Sequence, residues 1–432
     1  LIGFLRQRLR PHAGQRLYFG WYIAGLAFLA HFMSVGTGFY AMNAFMQPLC
    51  QARGWSRTDL NLALMAGTLC GFMAQFVYGA LLSRVQIRRL MLFGTLAAGT
   101  AFISMMQVQA LWQYYALSTL LFLGNGAYGG IVANTAISNW FSKKRGQALG
   151  MATSGISLSG AVIPLAAMHI ILNQGMQTAA MLIGGAIMGL GPLFYLVVRD
   201  WPEAYGLKPD GQGPGADPPL SDTPAGWTEP DCDWEPAVLF RQGAFWKLGF
   251  AFALLMSGAV GVMSQLKVRF TDVGFSDMQA MLLLTLTALI GTLGKYGWGW
   301  LGDRLAPFLV GAILAAVNGL GLVAALCGRN LLTLFLFVGV FGFGMGGIMS
   351  LYPAITASLF GRRAFARVYR FMSLFLIFQM SGYLIAGQSF DRLGSYDAAY
   401  GLFIAFDVIA AWLLFSIRPP CAKTGIANLP AK

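Results

Sequence analysis

Apolar residues run along this chain in blocks too long for an ordinary soluble core. They fall into twelve segments. Six lie at roughly 20–46, 59–82, 89–107, 111–139, 147–171 and 177–198, and six more at 243–268, 277–302, 307–327, 330–358, 366–389 and 396–417. A membrane-crossing helix needs roughly 20 apolar residues. The pattern therefore predicts an all-α membrane protein of twelve transmembrane helices in two six-helix bundles. Residues 199–242 interrupt it with Pro209, Pro214, Pro218, Pro219 and Pro224 among Gly and Asp. Such a stretch cannot span lipid and reads as a flexible linker. The expected organisation is a tail over 1–19, a bundle over 20–198, the linker over 199–242, a second bundle over 243–418 and a tail over 419–432.

Composition agrees. Of 432 residues, 57% are hydrophobic and 10% charged, where soluble domains carry about 25% charged residues. Lipid is the natural solvent of such a chain. The placement of the 29 Lys and Arg sets an orientation. With both termini in the cytoplasm, 22 fall on that side and 6 on the other, leaving Lys295 inside a segment. The positive-inside rule selects this arrangement, with the linker also cytoplasmic, in a bacterial-type cytoplasmic (inner) membrane. The same short loop clusters account for the net charge of +13 better than nucleic-acid binding, which favours a continuous basic stripe. Leu1 to Arg16 has no apolar core followed by a cleavage site, so no secretory signal is expected. The five cysteines (Cys50, Cys70, Cys232, Cys327 and Cys421) are scattered and read as core fillers.

An internal repeat supports two halves. Gly54-Trp55-Ser56 precedes Gly79-Ala80-Leu81-Leu82-Ser83-Arg84 by 25 residues, and Gly274-Phe275-Ser276 precedes Gly299-Trp300-Leu301-Gly302-Asp303-Arg304 by the same 25. Gly71 and Gly291 share this offset of 220. Phe141-Ser142-Lys143-Lys144-Arg145 has a counterpart in Phe360-Gly361-Arg362-Arg363.

The stretch Gly299 to Arg304 resembles the Gly-x-Leu-x-Asp-Arg hallmark of the major facilitator superfamily. In the first copy Ser83 stands where Asp is usual. The resemblance implies that Gly299, Asp303 and Arg304, with Gly79 and Arg84 in a weaker first copy, form a cytoplasmic latch between the halves. Three other places are similar to the monocarboxylate transporter and oxalate–formate exchanger branch. They are Gly20-Trp21, the run Trp140 to Gly150, and Gly387 to Tyr396 with Asp391, Gly394 and Ser395.

Lys295 is the most informative residue. It lies eight positions before Asp303, roughly 12 Å from the cytoplasmic end at 1.5 Å per residue. A cation so deep costs about 2.5–3.5 kcal/mol on the insertion scale, so it is expected to face a wet cavity or hold an anion. In the monocarboxylate family an Arg at this spacing binds the substrate carboxylate; Lys keeps the charge without the bidentate geometry. On the fourth segment Asn125, Tyr128, Val132, Thr135 and Asn139 are spaced as one helical face. Asn125 and Tyr128 are candidate substrate ligands, against a plain interhelical hydrogen-bonding role. Gln379 and Tyr383 share a face of the eleventh segment and are further candidates. His31 is a candidate ligand or proton carrier, against a hydrogen-bonded core histidine. Asp407 is a candidate proton site, against a structural pair. Two family features are missing. Gly291 stands where an Asp usually precedes the helix 8 cation, and no Lys lies near Phe39 or Tyr40.

No phosphate loop, catalytic triad or metal-ligand cluster is evident, so neither an enzyme nor a cofactor is expected. The resemblance implies a monomeric transporter that works by alternating access, with the substrate near Lys295 between the halves. The expected cargo is a small organic anion, best a monocarboxylate such as lactate, with a proton as cosubstrate. A dicarboxylate (oxalate-like) antiporter, a facilitator for an uncharged solute and a non-transporting sensor of the same fold are the alternatives. No long soluble output domain, such as a sensor would carry, is apparent.

Overall fold

A computed structural model describes residues 18–211, 234–327 and 331–418. Twelve long helical stretches occupy them. The first six are α1 (Gly20–Val35, then Gly36–Tyr40 and Ala41–Arg53), α2 (Arg57–Leu81), α3 (Ile87–Met105), α4 (Leu111–Tyr128 and Gly130–Trp140), α5 (Arg145–Gln174) and α6 (Met176–Val197). The second six are α7 (Gly243–Asp272), α8 (Asp277–Gly302), α9 (Pro307–Cys327), α10 (Leu331–Phe360), α11 (Phe365–Phe375, Leu376–Gln379 and Met380–Leu393) and α12 (Asp397–Phe415). Eleven of them are long and apolar enough to cross a membrane. The twelfth, α3, has 19 residues and opens on Arg88 and Arg89. Part of the expected linker, residues 212–233, lies outside the described residues, as do both tails beyond 18 and 418.

The repeat has a physical meaning. Gly54 ends α1 in the left-handed region at φ 70°, which glycine adopts without cost. Two residues on, Ser56 caps α2: its Oγ accepts from Asp59 N at 3.0 Å, and Asp59 Oδ2 accepts from Ser56 N at 3.2 Å. Gly274 and Ser276 repeat the device before α8, with Gln279 as the reciprocal partner at 3.3 and 3.0 Å. Each cap satisfies backbone donors that the helix leaves open, worth about 0.5–2 kcal/mol.

Three helices are irregular. The segment Gly36–Tyr40 of α1 is a π turn. Residues Leu376–Gln379 of α11 form a 3-10 turn. The expected continuous fourth span is broken at Gly129, and Gly130 has φ +46°. Broken backbone at membrane depth must find partners within the protein, and α2 supplies them. Gln75 Oε1 accepts from Ile131 N at 2.9 Å, and Tyr78 OH donates to Leu123 O at 2.7 Å.

The chain divides into two compact units. One is 1–142 with 151–217; the other is 143–150 with 218–432. In the first, Asn139 Nδ2 donates to Asp200 O at 2.9 Å and Trp140 Nε1 to Arg199 O at 2.8 Å, so residues 199–200 are tied to the end of α4. In the second, Trp234 Nε1 donates to Phe360 O at 2.8 Å. Helix α8 packs on α10 through glycines. A Cβ on Gly346 would overlap the carbonyl oxygen of Gly291, and one on Gly294 that of Phe343. Small residues permit such close approach, which dispersion then stabilises.

Candidate functional site

Lys295 sits in the second unit on α8, two-thirds of the way along the helix, and is 4% exposed. Its carbonyl oxygen accepts from Ser350 Oγ at 3.2 Å. The glycines around it explain the departure at position 291. Gly291 is the contact point with Gly346 of α10, and a Cβ added at 291 would already lie 3.2 Å from Gly342 O, so a larger side chain there would press on the facing backbone. The buried charge of Lys295 is thus set in a helix whose neighbouring positions are given over to close packing.

The hallmark motif is satisfied in its second copy within the same unit. Asp303 Oδ1 accepts from Gly146 N at 2.6 Å and Oδ2 from Gln147 N at 2.9 Å. The carboxylate therefore caps the first turn of α5, where open N–H groups and the helix dipole favour negative charge. The backbones touch: a Cβ on Gly299 would fall on Gly146 O, and the reverse. Arg304 stacks on Trp300, with Cζ 4.0 Å from the ring centroid. In the first copy, Ser83 Oγ donates to Ala80 O of its own helix at 2.7 Å. Gly79 is buried in α2 and Arg84 is exposed.

The first unit gathers polar groups. Tyr128 OH donates to Asn125 Oδ1 at 2.8 Å, and both residues are buried. His31 of α1 and Asn134 of α4 share a hydrogen bond of 3.1 Å between Nε2 and Oδ1. Asn134 and Gln75 were not among the expected residues. The break at Gly129 carries the second half of α4 out of the phase of one continuous stripe. Asn139 meets Asp200 O, Thr135 bonds back to Ile131 O at 2.7 Å, and Asn134 meets His31.

The remaining candidates lie apart. Gln379 is half-buried in the 3-10 turn of α11, and Tyr383 is exposed. Asp407 of α12 is 1% exposed, and both its oxygens lie 3.1–3.2 Å from Asn318 Nδ2 of α9. Asn318, the one polar side chain in a long apolar run of α9, is the signal that points to a pair. Replacing both partners with leucine is expected to be nearly neutral in thermal unfolding. Asp407→Leu alone is expected to cost about 1–3 kcal/mol by leaving the Asn318 amide unpaired.

Residues 26–387 match the family model of the Major Facilitator Superfamily. NarK2, a probable nitrate/nitrite transporter of Mycobacterium tuberculosis, is 28% identical over 307 residues, 68% of this chain and 70% of its own. Monocarboxylate transporter 12-B of Danio rerio is 24% identical over 369 residues, 81% of this chain and 76% of its own. Among solved structures, the human organic anion transporter MFSD10 has the same fold. It aligns with a TM-score of 0.67 over 91% of this chain and 98% of its own, at 14% identity.

Proposed function

Because the chain belongs to the Major Facilitator Superfamily, we propose that it is a secondary active transporter of a small organic anion. The cargo is a short monocarboxylate such as lactate or a related 2-hydroxy or 2-oxo acid. The observation that carries this reading is Lys295, a cation 4% exposed in the interior of a membrane helix. A buried charge at such depth marks a substrate pathway by default, and one cation matches one carboxylate. The likeness to monocarboxylate transporter 12-B, whose name states its cargo, supports it.

Asn125, Tyr128, His31, Gln379 and Tyr383 are the polar side chains proposed to contact the acid. The proposed cycle is alternating access with proton symport. His31 and Asp407 are the proton candidates. Asp407 is the weaker of the two because Asn318 accounts for its position. Uptake is expected to survive the paired replacement of Asp407 and Asn318 by leucine; loss of pH-driven uptake there would return Asp407 to the pathway.

A second reading, transport of an inorganic monovalent oxyanion, draws on the likeness to nitrate/nitrite transporter NarK2. It also uses a single cation. Competition against labelled lactate uptake separates the readings. Monocarboxylates are expected to compete best, oxalate and malonate poorly, because an unmatched second charge is costly in low dielectric. Stronger competition by nitrate supports the second reading; stronger competition by dianions at neutral pH excludes the single-cation argument.

The proposed orientation places both termini and 199–242 in the cytoplasm. With the five native cysteines replaced by serine, a single cysteine introduced at exposed Glu203 is expected to react with a membrane-impermeant maleimide only after cell permeabilisation. Labelling in intact cells would reverse the topology.

A further inference from the structure

Two irregular helices meet in the first unit. The π turn of α1, Gly36–Tyr40, lies beside α4 close to its break at Gly129. A Cβ on Gly129 would fall 2.5 Å from Ser34 Oγ, two residues before the π turn. Single π turns within α-helices concentrate at functional sites, and broken helices at membrane depth occur where they are enclosed by protein or line a cavity.

Asn125 lies at this junction and is 6% exposed. Its amide has two ends with different fates. Oδ1 is taken by the Tyr128 hydroxyl at 2.8 Å. Thr37, inside the π turn, donates its own hydroxyl to Met33 O at 2.6 Å. Nδ2 points toward the π turn, where a Cβ on Gly38 would lie 3.1 Å away. Nδ2 has no hydrogen-bond partner among the described residues. A buried donor left unpaired is costly, and with Oδ1 held by Tyr128 it is the Nδ2 end of the amide that faces α1. Glycine at 38 keeps a side chain from filling the space beside it.

We propose that the Asn125 amide is a specificity-determining donor that reads an oxygen on C2 of the transported acid. Tyr128 is the positioning residue that keeps the amide a donor. The π turn covers Nδ2 in this conformation, and the acid reaches it when the turn moves off. This inference rests on the proposed transport of short monocarboxylates and adds the chemical feature that selects among them. A fixed donor favours 2-oxo acids, whose C2 oxygen only accepts, and then 2-hydroxy acids. Acids with an unsubstituted C2 offer it nothing.

The test compares pyruvate with propionate, which lacks the C2 oxygen, in proteoliposome uptake. Tyr128→Phe is expected to raise the KM for pyruvate about threefold or more with kcat unchanged, since the amide loses its orientation. The double variant Asn125→Leu with Tyr128→Phe is expected to raise it about ten- to a hundredfold, the range for a hydrogen bond to a charged or strongly accepting group. Its KM for propionate stays within about twofold of wild type. Both partners of the bond leave together in that variant and no orphaned donor remains. Its thermal unfolding midpoint in detergent is therefore expected to equal or exceed that of wild type. A packing role alone would lower the midpoint and slow both acids together.

An unaltered pyruvate KM in Tyr128→Phe overturns the assignment, as does a pyruvate-to-propionate preference that survives the double variant. Absence of uptake of either acid by the wild-type protein would sink the transport reading and this inference together. Uptake that requires Lys295 but ignores Asn125 sinks this inference alone.

Discussion

Lys295→Gln is expected to abolish carboxylate uptake while the protein inserts and folds normally. Gln keeps a hydrogen-bonding group of similar length and removes the charge. Losing one partner of a desolvated charge pair costs about 2–5 kcal/mol, which corresponds to roughly thirtyfold to several thousandfold in kcat/KM. The fold should not suffer. Gln fills most of the space of the Lys side chain and can still hydrogen-bond, so the unfolding midpoint is expected to stay near that of wild type. Lys295→Arg should retain part of the activity, because the charge survives and the geometry changes. Size-exclusion profile, unfolding midpoint and uptake, measured on the same preparations, check the pattern. Full uptake by the Gln variant removes Lys295 from the site. A collapsed midpoint makes it a structural residue.

Gly346→Val is expected to prevent the second unit from folding. A Cβ at 346 would overlap the carbonyl oxygen of Gly291 on the facing helix. Neither backbone can retreat without giving up the α8–α10 contact. Overpacking a tight core site costs about 1–3 kcal/mol and sometimes more; here the obstacle is backbone, so about 3 kcal/mol or more is expected. The yield of monodisperse protein should fall at least tenfold. Gly185→Val on α6 is the matched control, because nothing lies within 4 Å of its added Cβ, and its yield should stay near wild type. Equal yields from the two variants would mean that α8 and α10 do not approach through Gly291 and Gly346.

The features legible in the sequence were those that act over a turn or two of chain. Ser56 and Ser276 stand at the same place in each half because a helix start needs a side-chain acceptor, and Gly54 and Gly274 precede them because a left-handed turn needs glycine. The Asp303 cap was legible as a motif, but its acceptance of the Gly146 and Gln147 amides was not, because that contact joins residues more than 150 positions apart. The irregular helices were not legible. Apolar periodicity looks the same whether a span is unbroken, carries a π turn at Gly36–Tyr40, or stops at Gly129. The Gly129-Gly130 pair was the available signal. Missing it joined Asn125, Tyr128, Thr135 and Asn139 into one stripe, while Asn134 and Gln75 went unremarked. Asp407 could not be resolved alone, since its partner Asn318 lies 89 residues away.

The central claim is that this protein, by itself, carries a monovalent organic anion across a membrane. Time-resolved uptake of radiolabelled lactate into liposomes containing only the purified protein, with an inward proton gradient, tests it most directly. Saturable uptake above that of protein-free liposomes, competed by unlabelled pyruvate and insensitive to equimolar oxalate, is the expected result. Uptake no greater than in protein-free liposomes, with the protein shown to be folded and inserted, would contradict it.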